Sequence, residues 1–233
     1  MVPHAGAGPH VLAPLLRHVP DHYEVLGVTL PGRERRCHEP CTTTPSDPDG
    51  VVAAILAELA ALPTLPTVLF GHSLGAAIAS AALVRAPELF TAGVLSAHPS
   101  GSSAAQRAGR WSDEELVAVL RCGGGTPEEV LGNSAWRRQV LDRLRSDLTL
   151  SVRLAHCHPA QPIGVPLTVL VGDRDEIVPA GTLDTWRVRA PAGVRLRTFR
   201  GGHFFLLDED NRAAVATEIT AAFGAEDAVL EAA

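Results

Sequence analysis

Short apolar segments alternate with amphipathic segments along most of the chain. Apolar runs bounded by Gly, Pro or polar turn residues predict buried strands, at residues 23–30, 67–70, 91–97, 165–171 and 194–199. Apolar residues at helical spacing predict the helices between them, at about 49–62, 74–85, 181–189 and 211–223. Alternation of this kind is typical of an α/β fold in which helices cover both faces of a mostly parallel sheet.

The alternation is interrupted in the middle of the chain. Ser112 and Glu115 have the spacing of a capping box, Pro127 opens a second short helix, and Asn133 or Ser134 opens a third that runs to about residue 150. Helices in series without a strand between them predict an insertion over about 100–162, most simply a helical lid. We therefore expect one domain over residues 1–233, with this lid and with a tail that frays over about 225–233.

Composition and charge exclude several classes of protein. The hydrophobic content of 46% and charged content of 20% exclude a disordered chain or a coiled coil. With a net charge of −6 the chain has no broad cationic face for nucleic acid. No apolar run approaches the ~20 residues that span a bilayer, and no secretory signal is visible. The cysteines form no paired framework, which favours a cytoplasmic protein: Cys37, Cys41, Cys122 and Cys157.

The pattern Gly71-His72-Ser73-Leu74-Gly75 lies between a predicted buried strand and a predicted helix. That context is the one in which a G-x-S-x-G sequence forms a nucleophile elbow, with the serine strained and its hydroxyl lifted from the sheet. Both flanking positions must be glycine, because a β-carbon would strike the neighbouring strand or helix. We predict that Ser73 is a nucleophile; the alternative is a tight structural turn.

A nucleophilic serine needs a base and an orienting acid. His203 follows a predicted strand in the loop RGGHFF, which makes it the predicted base. Asp175, just beyond the strand that ends at residue 171, is the predicted acid, although Asp173 is an alternative that could instead shape the turn. The predicted oxyanion donors are the backbone N–H of Leu74, at the start of a helix, and that of Ala5, in the glycine-containing loop PHAGAG.

Other reactive-looking residues favour structural roles. His72 lies inside the elbow, where a packing role is favoured. The clusters around Cys37 and Cys157 have no partner at zinc-finger spacing, so we expect no metal ligands. The basic cluster of Arg33, Arg35 and Arg36 is interpreted as a solvated loop, with a docking patch for an acidic partner as the alternative.

Several motifs make the sequence resemble the type II thioesterases of polyketide synthases and nonribosomal peptide synthetases. The resemblance covers nearly the whole chain and rests on these segments: PHAGAG, LPGRERR, FGHSLGA, WSDEELVAVLRCGGGTPEEVL, LRSDL, VGDRDEIV, TW and FRGGHFFL. It implies an α/β-hydrolase fold and hydrolysis of acyl or aminoacyl groups from the phosphopantetheine arm of an acyl or peptidyl carrier protein. It also implies a triad of Ser73, Asp175 and His203 with oxyanion donors Leu74 and Ala5. We expect a monomer without a metal or redox cofactor.

One departure from the family concerns the central strand that should lead into PHAGAG. Only Met1 and Val2 precede Pro3, so the first strand is missing or truncated in this sequence, and we expect the natural start to lie upstream. Two other functions are compatible with the motifs: an esterase or lipase-like hydrolase of small esters, and a non-catalytic scaffold of a synthase complex.

Overall fold

The computed structural model describes residues 1–40, 47–100, 111–123, 126–157, 161–178 and 185–224. Its sheet contains four parallel strands in the order β1-β2-β3-β4. The strand bounds are Val68–His72 (β1), Ala92–Ser96 (β2), Leu167–Gly172 (β3) and Val194–Phe199 (β4). The predicted parallel sheet is therefore confirmed, with each of these strands within two residues of its expected start.

Eight α-helices are assigned within the described residues. Their bounds are Ala13–Leu16 (α1), Pro48–Ala60 (α2), Leu74–Arg85 (α3), Asp113–Gly123 (α4), Glu128–Gly132 (α5), Ser134–Cys157 (α6), Thr185–Arg189 (α7) and Glu209–Ala221 (α8). Short 3-10 helices occur at Pro9–Leu12, Glu34–Arg36, Pro87–Leu89, Phe205–Leu207 and Ala222–Gly224. The carboxylate of Asp47 accepts from the N–H of Gly50 at 2.8 Å and caps α2.

Helices cover both faces of the sheet, as the strand–helix alternation predicts. On one face, α3 packs on β1 and β2 and contacts α2 and α6, around a core that includes Leu69, Leu95 and Val169. On the other face, α1 and α8 pack together over a second core that contains Phe70 and Val94. Successive residues of one strand thus point into opposite cores, which is why the sequences of these strands are continuously apolar.

The segment between β2 and β3 contains α4, α5 and α6, and no strand among its described residues. Ser112 and Glu115 form the predicted capping box, since each backbone N–H donates to the other side chain at 2.7 and 3.2 Å. The side chain of Asn133 caps α6. The helix continues to Cys157, beyond its predicted end near residue 150.

The predicted strand at residues 23–30 is wrong. These residues lie beside Met1, whose terminal amino group donates to the Leu26 carbonyl at 2.7 Å and whose carbonyl accepts from the Val28 N–H at 3.0 Å. Val2 in turn makes a single parallel bridge to Gly71 of β1. A strand requires a neighbour along its length, and the two hydrogen bonds to Met1 do not extend into a ladder along residues 23–30. Val25 and Leu26 remain exposed.

Candidate active site

The turn between β1 and α3 places Ser73 in a strained backbone conformation, with φ 55° and ψ −114°. A β-carbon on Gly71 would lie 2.2 Å from the Gly75 carbonyl oxygen, and one on Gly75 would lie 2.0 Å from the Val2 carbonyl oxygen. Both contacts are with backbone atoms, which cannot move aside. The expectation that both positions require glycine is confirmed, and the geometry matches that of a nucleophile elbow.

Three side chains that are distant in sequence form a hydrogen-bonded row at this turn. The hydroxyl of Ser73 is 2.9 Å from Nε2 of His203. The opposite ring nitrogen, Nδ1, donates to Oδ2 of Asp175 at 2.9 Å. Asp175 and His203 are both buried. With Nδ1 protonated, Nε2 is free to accept the serine proton, so the row can generate an alkoxide-like nucleophile.

The second oxygen of Asp175 fixes the carboxylate. Oδ1 accepts from the backbone N–H groups of Ile177 and Val178 at 2.9 and 2.8 Å. Asp173 has a different role, since its Oδ1 accepts from the N–H of Gly201 at 2.8 Å and ties together the loops that follow β3 and β4. The structure therefore brings Asp175, rather than Asp173, to the imidazole of His203.

Comparison with known proteins identifies the family. The family model described as a thioesterase domain matches residues 1–223. The chain belongs to the thioesterase domain family. It is 35% identical over 227 residues to the probable cadicidin biosynthesis thioesterase of Streptomyces griseus, a match that covers 94% of this chain and 60% of that protein. It is 30% identical to the thioesterase PikA5 of Streptomyces venezuelae, over 89% of this chain and 75% of that relative.

A solved structure gives the same result. The type II thioesterase BorB from the borrelidin biosynthetic cluster is 29% identical, with a TM-score of 0.75 over 95% of this chain and 90% of that one. The resemblance to type II thioesterases that the motifs indicated is thereby confirmed, and so is the α/β-hydrolase fold.

The predicted oxyanion donors lie in the turn after β1 and in the PHAGAG loop. Among the described residues, the structure gives no acceptor for the backbone N–H of Leu74 or of Ala5. The neighbouring N–H of Gly6 is occupied, because it donates to Oδ2 of Asp147 at 2.7 Å. Of the two adjacent loop amides, Ala5 is thus the one left available for a ligand. Its role stays a prediction.

Asp147 lies within LRSDL, one of the segments that carry the family resemblance, but no role was predicted for this residue. It lies on α6, three residues from each of the buried residues Leu144 and Leu150. A carboxylate on the apolar face of a helix is rarely buried without a partner, and this position was the available signal. Its partner is Arg33. The interpretation of Arg33 as part of a solvated loop is wrong, because this residue is 4% exposed and paired with Asp147.

Metal-binding clusters and membrane-spanning helices are both absent from the described residues. No group of three or more His, Cys, Asp or Glu residues that could hold a metal occurs in the described part of the chain. Cys37, Cys122 and Cys157 are free thiols, and Cys41 lies outside the described residues. None of the helices within the described ranges is both long and apolar enough to span a bilayer.

Buried imidazoles surround His203. Burial, with a smaller contribution from His203, lowers the pKa of His4 to about 3 and that of His72 well below its ordinary value. Burial, followed by the nearby Arg189, also lowers the pKa of His98 to about 3. His72 is hydrogen-bonded through Nδ1 to Ser96 Oγ at 2.9 Å. His72 packs against the ring of His203 at a centroid distance of 5.3 Å, which is the packing role predicted for it.

These rings predict acid sensitivity. Because the folded-state pKa is lower than the unfolded value of about 6.5, the unfolded chain binds more protons below that pH, and stability falls as pH falls towards the folded pKa near 3. We expect His98→Gln to reduce the dependence of unfolding free energy on pH by about 1.4 kcal/mol per pH unit between pH 6 and 4. Denaturant unfolding at several pH values measures this slope. His18→Gln, at an exposed position, should leave it unchanged.

Proposed function

We propose that the protein is a type II, editing thioesterase that hydrolyses acyl or aminoacyl thioesters from the phosphopantetheine arm of carrier proteins in antibiotic-producing polyketide or peptide synthases. The observation that carries the proposal is the Ser73–His203–Asp175 row, with both hydrogen bonds at 2.9 Å, in a chain of the thioesterase family. The names of relatives from cadicidin and gramicidin S biosynthesis support the synthase setting.

In the proposed mechanism, His203 Nε2 takes the proton of Ser73 as the hydroxyl attacks the thioester carbonyl. The backbone N–H groups of Leu74 and Ala5 stabilise the resulting oxyanion, an effect typically worth about 100- to 1000-fold in rate per donor. The pantetheine thiol leaves with the proton from His203, giving an acyl-Ser73 ester. Water, deprotonated by His203, then releases the free acid and restores the serine. Asp175 keeps Nδ1 protonated and stabilises the imidazolium in both steps.

The proposed partner is an acyl or peptidyl carrier protein, and α4 to α6 would serve as the lid that admits its arm and limits the acyl chamber. The proposed reaction requires no metal or redox cofactor, because proton transfer and a serine ester suffice. We propose a monomer, since each chain carries its own complete set of site residues; light scattering in solution tests this. The free thiols of Cys37, Cys122 and Cys157 favour the cytoplasm as its location.

The substrate class is tested by direct competition between two leaving groups. An acyl group loaded on a carrier protein is compared with the same acyl group as a p-nitrophenyl ester, at matched concentrations. We expect kcat/KM for the carrier thioester to exceed that for the ester by at least about tenfold, because a partner that contributes about 1.4 kcal/mol of transition-state binding gives that factor. A preference for the ester would assign an esterase instead. Absence of turnover and of fluorophosphonate labelling would assign a scaffold.

A further inference from the structure

A buried ion pair joins the lid region to the loop that contains Ala5. Arg33 donates through both terminal nitrogens to Asp147, at 2.7 Å to Oδ2 and 2.9 Å to Oδ1. The two side chains are 4% and 2% exposed. Bidentate pairing of this kind fixes both planes relative to each other, so the position of the Asp147 carboxylate is tightly determined.

The same pair holds the loop at two further points. Oδ2 of Asp147 accepts from the Gly6 N–H at 2.7 Å, and Arg33 donates to the Ala7 carbonyl at 3.1 Å. The loop itself is a turn in which the N–H of Ala7 donates to the His4 carbonyl at 3.2 Å and Gly6 has φ 80°. Two groups on the turn are therefore attached to a charged pair that cannot shift without breaking several hydrogen bonds.

The peptide group that Asp147 holds through the Gly6 N–H is adjacent to the peptide group that carries the Ala5 N–H. Gly6 N–H belongs to the peptide that follows Ala5, and the Ala5 N–H belongs to the peptide before it. Because consecutive peptide planes are related only by the φ and ψ of one residue, fixing the Gly6 N–H limits the direction of the Ala5 N–H. The hydrogen bond to Asp147 also occupies the Gly6 N–H, which leaves the Ala5 N–H as the available donor of these two adjacent amides.

We propose that Asp147, held by Arg33, is a positioning residue for the oxyanion donor of Ala5, so that the place of helix α6 determines whether the oxyanion site is complete. This inference deepens the proposed function and rests on it. Asp147 makes no contact with the reacting atoms in this role. It acts through the turn at residues 4–7, and a shift of about 1 Å in such a donor can cost about 100-fold in rate.

The test uses three variants of the full chain and one matched control. Asp147→Leu removes the acceptor, and we expect kcat for a simple acyl thioester to fall about 100-fold with KM changed less than about threefold. Asp147→Asn keeps a neutral acceptor and should lose about tenfold, because charge-assisted hydrogen bonds are roughly twice as strong as neutral ones. Asp142→Asn, at an exposed position on the same helix, should retain full activity.

The double variant Arg33→Met/Asp147→Leu separates positioning from stability. Replacement of a buried ion pair by apolar residues commonly preserves stability, so we expect its melting temperature to return close to that of the unmodified protein. Its kcat should stay about 100-fold low, because the Gly6 N–H still has no acceptor. If Asp147→Leu does not fold, the kcat values of the double variant and of Asp147→Asn test the proposal instead. Recovery of kcat together with stability would overturn the proposal.

A trifluoromethyl ketone analogue of the acyl substrate measures the oxyanion site directly. Such a ketone forms a tetrahedral adduct with the serine, so its Ki should rise across the variants in proportion to the loss in kcat/KM. Variants with low kcat and unchanged Ki would contradict a role in oxyanion binding. If the unmodified protein neither hydrolyses thioesters nor binds the ketone, the proposed function fails first and the inference fails with it.

Discussion

Ser73→Ala is expected to reduce thioester hydrolysis by at least about 10⁴-fold while leaving the fold intact. The substitution removes the hydroxyl that lies 2.9 Å from His203 Nε2, so no acyl-enzyme can form. Alanine fits where serine fitted and retains the backbone donors of the turn. Single-turnover hydrolysis of an acyl-carrier thioester measures the loss, and a fluorophosphonate probe should label the unmodified protein but not the variant.

Stability provides the first control for this prediction. Ser73 has a strained φ of 55° in the unmodified protein. Alanine at position 73 keeps the same unfavourable backbone conformation, so its melting temperature should remain within about 3 °C of the unmodified value. Ser80→Ala, on α3 and seven residues beyond Ser73, should retain labelling. Substantial turnover by a folded Ser73→Ala protein would show that another group attacks the thioester.

The parallel sheet explains why the three triad residues could be found in the sequence. Ser73 directly follows β1, Asp175 is the third residue after β3, and His203 is the fourth residue after β4. Carboxyl ends of parallel strands share one edge of the sheet, so the strand pattern and the G-x-S-x-G turn together indicate that these side chains converge. Local sequence patterns were sufficient to predict the triad, because the parallel topology determines that the residues after these strands lie at the same edge of the sheet.

The features that were missed depend on partners that local patterns do not reveal. Residues 23–30 have an apolar strand pattern, but a ladder requires a neighbouring strand, and within the described part of the chain their contact of this kind is a pair of hydrogen bonds to Met1. Arg33 belongs to a basic cluster that resembles an exposed loop, yet it is buried and paired with Asp147, 114 residues away. Periodicity reports which face of a segment is apolar, but it does not report which distant charge neutralises a buried one.

The second large effect is expected for Asp175→Asn, which should lower kcat by about 10⁴-fold. Oδ1 of Asp175 accepts from the N–H groups of Ile177 and Val178, so the amide oxygen of asparagine would take that place and its NH₂ would face His203. An NH₂ donor at Nδ1 moves the ring proton to Nε2, where it prevents the ring from accepting the proton of Ser73.

Asp173→Asn is the matched control, because it changes the same chemical group two residues away. Its carbonyl can still accept from the Gly201 N–H, so we expect kcat to stay within about threefold of the unmodified protein. Steady-state kinetics of both variants with the same acyl thioester distinguish the two carboxylates. A loss of 10⁴-fold in Asp173→Asn, with Asp175→Asn nearly unaffected, would make Asp173 the orienting acid. Equal, small losses in both would mean that neither carboxylate sets the tautomer of His203 during the reaction.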